Sequence, residues 1–157
     1  MSTPARAEIV ARLAHRGQVD KAGVDYAEHC KAVGDIAVEL SRETHPAWQS
    51  SVVRMVAWLH DTLEDTPLSI QDLYELGFRG NVLEAIKLLT HTHEHSHADY
   101  VRKIRDAQGA SGELARVVKR ADLIHNSSPD RAIPGMSAEK LQRRYEKAMA
   151  ILEGRDS

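Results

Sequence analysis

An all-α fold is predicted by three features of the chain. Apolar residues recur at steps of three and four along nearly its whole length, the spacing that lines one face of a helix. No stretch alternates apolar with polar residues as a half-exposed strand does. Prolines, glycines and Ser/Thr residues punctuate the periodic segments where helices start and stop. There is no internal repeat, no low-complexity tract and no linker long enough to divide the 157 residues. Residues 1–157 are therefore expected to form one domain of seven or eight helices.

Thr3 is a candidate N-cap with Pro4 at the first helical position, and Ile9, Val10 and Leu13 follow at helical spacing. "QVDKAGVD" (18–25) carries Gly23 and reads as a loop. In "YAEHCKAVGDIAVELSRE" (26–43), Cys30, Val33, Ala37 and Leu40 fall on one helix face. Pro46 opens "AWQSSVVRMVAWLHDTLED" (47–65), predicted as one apolar helix that Pro67 stops. Ser69 and Gly77 are the candidate cap and stop of "LSIQDLYELG". "NVLEAIKLLT" (81–90) and "ADYVRKIRDAQ" (98–108) are short amphipathic helices on either side of "HTHEHSH" (91–97). Ser111 is a candidate cap for "GELARVVKRADLIHN" (112–126). Pro129, Pro134 and Gly135 break the chain before a last amphipathic helix, "SAEKLQRRYEKAMAILEG" (137–154).

Composition excludes several classes. A net charge of −2 and a pI of about 6.5 give no basic field for nucleic acid. Aromatics at 4% leave few platforms for stacking single-stranded bases. Cys30 is the single cysteine, so neither an internal disulfide nor a cysteine zinc cluster can form. The N-terminus lacks the apolar run of a signal peptide, and no apolar stretch is long enough to span a membrane. A cytoplasmic protein is expected. The runs "VRKIR" and "LQRRYEKA" read as solvated helix faces, with Arg102 or Arg144 as side candidates for phosphate binding. No apolar seam for a second copy is legible.

Three segments carry chemistry. In "WLHDTLED" (58–65) an apolar helix runs into His60, Asp61, Glu64 and Asp65. On a continuous helix His60 lies near Glu64, and Asp61 near Glu64 and Asp65. Such crowding of negative charge beside a core is costly unless a cation neutralises it. It also opposes the dipole at a helix C-terminus. The plain alternative is a last turn emerging into solvent. In "VVKRADLIHN" (117–126), Asp122 and Asn126 share a face among apolar residues. An Asp there needs a partner. A salt bridge from Lys119, with Asn126 as a C-terminal cap, is the structural alternative. In "HRGQVDKAGVDYAEHC" (15–30), His29 lies one turn into a helix after a loop, with Lys21 and Tyr26 nearby. Taken alone, such a histidine is more often a packed one than a ligand.

In their order along the chain these segments resemble the HD superfamily of metal-dependent phosphohydrolases. "AHRGQVDKAGVDYAEH" resembles the box H-x-G-Q-x-[RK]-K-x-G-x-P-Y-x-x-H-P. "WLHDTLEDT" resembles H-D-x-x-E-D-T, and "VKRADLIHN" resembles V-K-x-A-D-x-x-x-N. These boxes are those of the hydrolase domain of RelA/SpoT-type alarmone enzymes and their small single-domain relatives, and the match runs from about residue 10 to 130. The resemblance implies metal ligands at His29, His60, Asp61 and Asp122. Glu64 and Asp65 match the acidic pair that positions or deprotonates the attacking water. Lys21, Tyr26 and Asn126 match residues lining the nucleotide site. One divalent metal is implied, usually manganese in that family. Two imidazoles and two carboxylates also suit iron, cobalt or zinc better than an all-oxygen magnesium cage. The implied reaction removes the 3′-diphosphate of (p)ppGpp, releasing pyrophosphate.

Three positions depart from the pattern. Asp20 stands where those hydrolases carry a basic residue, often Arg lying against the guanine, and it brings negative charge towards a polyanionic substrate. On that reading Asp20→Arg improves alarmone hydrolysis. Asp25 and Cys30 replace two prolines, which loosens the loop. Two rival functions stay open: an HD phosphohydrolase acting on another nucleotide or a phosphorylated cofactor, and a non-catalytic binding module using the histidine cluster as its metal site. "LLTHTHEHSHADYVRKI" resembles the family segment L-T-H-x-x-G-E-x-Y-x-D-Y. His91 is accordingly a candidate for the rim of the substrate pocket. His93, His95 and His97 are expected to be exposed loop histidines, dispensable when changed to Asn.

Overall fold

Nine α-helices and one 3-10 turn are found among residues 2–131 and 135–156, which the computed structural model describes. They are α1 (Pro4–Ala14), α2 (Tyr26–Thr44), α3 (Ser50–Leu59), α4 (Thr62–Asp65), α5 (Ile70–Glu75), α6 (Gly80–Leu88), α7 (His97–Asp106), α8 (Gly109–Asn126), the turn Pro129–Arg131, and α9 (Ala138–Leu152). The described residues form no strand; their one β feature is an isolated bridge between Val19 and Asp25. The all-α class is borne out. Pro134, a predicted break, lies outside the described residues.

Thr3 and Ser69 cap their helices as predicted, and two serines not marked in the sequence, Ser96 and Ser137, do the same. Thr3, Ser69, Ser96 and Ser137 each accept a backbone N–H of the first turn, and Ser69 with Asp72 completes a capping box. Gly77 ends α5 at φ +105°, a conformation that costs any side-chain-bearing residue.

Four local expectations are corrected. The helix predicted over 47–65 is two: α3 starts only at Ser50, and the chain turns at His60 and Asp61 before α4. That split accounts for the ninth helix. The reason is local bonding, since His60 N–H reaches only Ala57 O, at 3.5 Å, and Asp65 N–H restarts the helical pattern on Asp61 O. Ser111 lies inside α8 rather than capping it; the helix begins at Gly109. There Gly112 passes so close to Ala107 that a Cβ would run into the Ala107 carbonyl oxygen. In α1 the buried face is Ala7 and Ala11, while Ile9 and Leu13 are each 59% exposed. Small side chains let α1 approach α3 closely. Finally, Asp25 does not leave its loop slack: its carboxylate accepts Ala27 N–H and caps α2.

Helices α2, α3 and α8 form the centre, with α1 against α3, α6 across α3 and α8, and α7 and α9 together on α8. The core between them holds Val33 and Ala37 from α2, Val53, Val56 and Leu59 from α3, Ile86 from α6 and Val118 and Ala121 from α8. Cys30 is buried in this core, and burial pushes its thiol up to about 12. No helix among the described residues is long and apolar enough to cross a membrane. The central packing brings three places together: the first turns of α2, the turn after α3, and the last turns of α8.

Candidate metal centre and adjoining cleft

Those three places deliver His29, His60 with Asp61, and Asp122. One ligand atom from each residue lies within 4.8 Å of all the others. His29 Nε2 is 3.0 Å from Asp122 Oδ1 and 3.8 Å from Asp61 Oδ2, while His60 Nε2 is 2.9 Å from Asp61 Oδ2 and 3.5 Å from Asp122 Oδ1. His29 and His60 are each 2% exposed. His60 Nδ1 is engaged by Ala57 O at 2.6 Å. Its Nε2 is buried with no aligned hydrogen-bond partner among the described residues. A buried imidazole nitrogen unsatisfied in that way, facing two carboxylates and a second imidazole, fits a divalent cation.

Charge in this cluster is strongly coupled. Burial alone disfavours every ion here, but the pairs outweigh it. Burial works against His60, yet Asp61 and Asp122 hold its pKa well above the ordinary range. Burial likewise opposes Asp61, but His60 draws it down to about 2. Asp122 lies well below the ordinary range, against burial, through Lys119, His29 and His60. Lys119, also buried, is raised by the same ion pair, Nζ to Asp122 Oδ2 at 3.0 Å. The salt bridge predicted as the structural alternative therefore exists, and it coexists with the cluster, because Asp122 offers its other oxygen to His29.

The neighbours orient the cluster. Tyr26 was expected at the nucleotide; it lines the cleft, but its hydroxyl donates to Asp61 Oδ2 at 2.5 Å. Asn126 Nδ2 donates to Asp122 Oδ1 at 3.0 Å. His125, missed in the sequence although it sits three residues after Asp122, places Nδ1 2.8 Å from His29 Nδ1. One of these nitrogens donates and the other accepts. If His29 Nε2 is to offer a lone pair, His29 Nδ1–H is the donor. His15, wholly buried, bonds Gln18 through Nδ1, and Gln18 in turn donates to the Asp65 carbonyl at 2.9 Å.

Glu64 and Asp65 belong to α4, not to the end of α3, so neither stands at the C-terminus of the long apolar helix. Glu64 Oε1 accepts the His91 backbone N–H at 2.7 Å. Burial, then the charges of Asp61 and Glu64, raise the Asp65 carboxyl above its ordinary range. Both acids border a cavity of about 230 Å³ with Asp61, Asp122, His91 and Asn126. His91 thus borders the cavity beside the cluster. Its ring stacks on Tyr100, and its Nε2 meets His95 O. His93 and His95 are exposed, as predicted. His97 is exposed too, as predicted, but it is not a loop residue: it opens α7, and it borders both this cavity and the next. Burial lowers its pKa.

A larger cavity of about 630 Å³ adjoins the first, and the two share Tyr26, His97, Lys119, Asn126 and Arg131. Lys21, Arg144 and Lys147 add further cations, and Leu123, Leu141, Tyr145 and Ile151 give an apolar wall. Arg102 lies elsewhere, paired with Asp99 and Asp156. Asp20 does not point bare charge into the cleft: Arg131 Nη1 donates to it at 2.7 Å. Arg131 follows a chain-breaking proline, outside any periodic segment, and no sequence signal marked it.

An all-helical fold carrying this His-His-Asp-Asp cluster defines the class, and the chain belongs to the HD domain family, whose match spans residues 26–154. Among its relatives is the bifunctional (p)ppGpp synthase/hydrolase SpoT of Escherichia coli. It is 32% identical over 128 residues, which cover 77% of this chain and 17% of that protein. The GTP pyrophosphokinase of Streptomyces coelicolor is 34% identical over 143 residues, 88% of this chain and 16% of the relative. The chain thus spans about a sixth of the length of these curated relatives. A solved structure of a metazoan ortholog of SpoT, described as hydrolysing ppGpp and playing a role in starvation responses, has the same fold. It superposes with a TM-score of 0.69 at 22% identity, over 98% of this chain and 87% of that one.

Proposed function

We propose that the chain, as one HD unit over residues 1–157, is a metal-dependent phosphohydrolase that removes the 3′-diphosphate of (p)ppGpp. The observation that carries this reading is the junction of two spaces. The compact cluster of His29, His60, Asp61 and Asp122 opens, beside Glu64 and Asp65, into a cleft rich in cations with one apolar wall. A substrate with several phosphates and a flat aromatic base, whose faces can pack on apolar side chains, matches that wall and that charge. The relatives' names point the same way.

The four clustered residues would hold one divalent ion, manganese by preference, with iron, cobalt and zinc also suited to the mixed donor set. Such an ion lowers the pKa of a water and polarises a phosphoryl oxygen. The chain's own residues do the rest. Asp65, whose carboxyl is raised by burial and by Asp61 and Glu64, takes the proton of the attacking water, and Glu64, held by the His91 N–H, orients it. The water oxygen forms a bond to the phosphorus next to the 3′ oxygen. The bond from that phosphorus to the 3′ oxygen breaks, its electron pair stays on the 3′ oxygen, and the proton is passed there. Pyrophosphate leaves, and GDP or GTP remains. Lys21, Lys119 and Arg144 neutralise phosphate charge, and Tyr26 and Asn126 keep Asp61 and Asp122 in place. A free-nucleotide hydrolase of this kind is expected in the cytoplasm, where a free buried thiol such as Cys30 is at home.

Asp20 in place of a basic residue favours a second reading, the same chemistry on another nucleotide or a phosphorylated cofactor. A release assay with manganese across a nucleotide panel separates the two. Pyrophosphate from guanosine 3′,5′-bis(diphosphate) supports the first reading. Orthophosphate from monophosphorylated compounds, with no pyrophosphate from the alarmone, supports the second.

A further inference from the structure

We infer that Arg131, latched by Asp20, is a specificity-determining cation that binds the non-reacting phosphates of the nucleotide. The inference rests on the phosphohydrolase reading and adds to it a residue that neither the sequence pattern nor the relatives assign.

Asp20 is fully engaged. Its Oδ1 accepts the backbone N–H groups of Ala22 and Val24, both at 2.9 Å, and its Oδ2 faces Arg131 Nη1 at 2.7 Å. The pair is largely removed from solvent, with side-chain exposures of 7% for Asp20 and 14% for Arg131. Arg131 Nη2 donates to Asn126 Oδ1 at 3.0 Å, and Asn126 reaches Asp122. Two contacts thus orient the planar guanidinium between the loop at 18–25 and the last turn of α8. A guanidinium carries five N–H donors in a fixed fork. Asp20 and Asn126 engage two of its nitrogens among the described residues, and Arg131 borders both cavities. A rigid fork held at the junction of a cation-lined cleft and a candidate metal centre is suited to a phosphate that stays behind when another leaves. The acidic residue at position 20 therefore does not repel the substrate. It delivers a cation from 111 residues further along the chain. The expectation that Asp20→Arg improves hydrolysis reverses: the substitution sets two guanidinium groups against each other and releases Arg131.

The test is steady-state hydrolysis of guanosine 3′,5′-bis(diphosphate) with manganese by the full chain. Arg131→Gln should raise KM at least tenfold, with kcat within twofold and metal content unchanged. Arg131→Lys should recover part of the loss. Asp20→Asn should raise KM less than Arg131→Gln, and Asp20→Arg should raise it too. With a substrate carrying only one 5′ phosphate the penalty in Arg131→Gln should shrink. An unchanged KM in Arg131→Gln, a fall in kcat alone, or an equal penalty on the shortened substrate overturns the inference while leaving the phosphohydrolase reading intact. If the wild-type chain releases no pyrophosphate from this substrate, that reading fails instead. Arg131 is then judged by calorimetric binding of GDP. A Kd at least tenfold weaker in Arg131→Gln, with the helical circular-dichroism spectrum retained, supports the site, and an equal Kd overturns it.

Discussion

Asp61 serves three neighbours at once: it faces His60, accepts the Tyr26 hydroxyl and stands within reach of His29. Removing its carboxylate deletes a candidate ligand and strands two partners. Asp61→Ala is expected to lose stoichiometric metal and hydrolysis together, as read by metal analysis and a pyrophosphate assay. Full metal with full turnover would exclude the proposed centre. Glu64 is held by the His91 backbone N–H, outside the four clustered residues. Glu64→Gln should therefore keep metal while the rate falls by about 10²-fold, the scale of a misplaced reactant, because the attacking water loses its orienting carboxylate. Undiminished turnover removes Glu64 from the mechanism. His125 acts through His29. His125→Leu should weaken metal affinity by about 10–100-fold, the usual effect of losing an outer hydrogen bond to a ligand.

Helix α8 carries Lys119 and Asp122 one turn apart, and they form its buried ion pair. Removing one partner of such a pair costs about 3–5 kcal/mol, because the other charge is left uncompensated. Lys119→Met should lower the stability of the metal-free protein by that order in denaturant unfolding. The penalty should shrink when manganese is present, since a cation at the cluster also faces Asp122. An equal penalty with and without metal argues against metal binding there. The segment at 91–97 divides differently. His93 and His95 are exposed and lie outside both cavities, so changing both to Asn should leave kcat/KM within twofold. His97 cannot be grouped with them, because α7 turns its ring onto the cleft.

Over the whole molecule, protons and the proposed metal would compete for one cluster. Asp61 and Asp122 have depressed pKa values, so their pairs stabilise the fold above the ordinary carboxylate range. That contribution is lost as pH falls, through about 2 for Asp61. His60 has a raised pKa, so its pairs stabilise the fold fully below 6.5 and lose that contribution as pH climbs through the raised value. The melting temperature of chelated protein should accordingly fall at both ends and be highest between about pH 4 and 6.5. A melting temperature that rises from pH 6.5 to 9 in chelator contradicts this balance. A ligand must be deprotonated to bind a metal. Manganese titrations near pH 7 in buffers of different ionisation enthalpy should therefore show proton release, and none would place the metal elsewhere than His60.

What the sequence determined by itself was local. Helix spacing, the caps at Thr3 and Ser69, and the all-α class follow from period and end chemistry, which act within a turn or two. The four residues that converge were legible only through their resemblance to a family pattern, since nothing in the spacing of 29, 60, 61 and 122 states a distance. Tertiary structure decided the rest. The break after α3 shows only in the backbone bonding around His60 and Asp61, and a periodic apolar run carries no sign of it. The buried face of α1 is set by how closely α3 can approach, so Ala7 and Ala11 go in and Ile9 and Leu13 stay out. The meaning of Asp20 rests on Arg131, a partner 111 residues away that follows a proline and lies on no helix face. Electrostatic pairing acts through space, so the sign of a charge at position 20 could not be read until its counter-charge was in place.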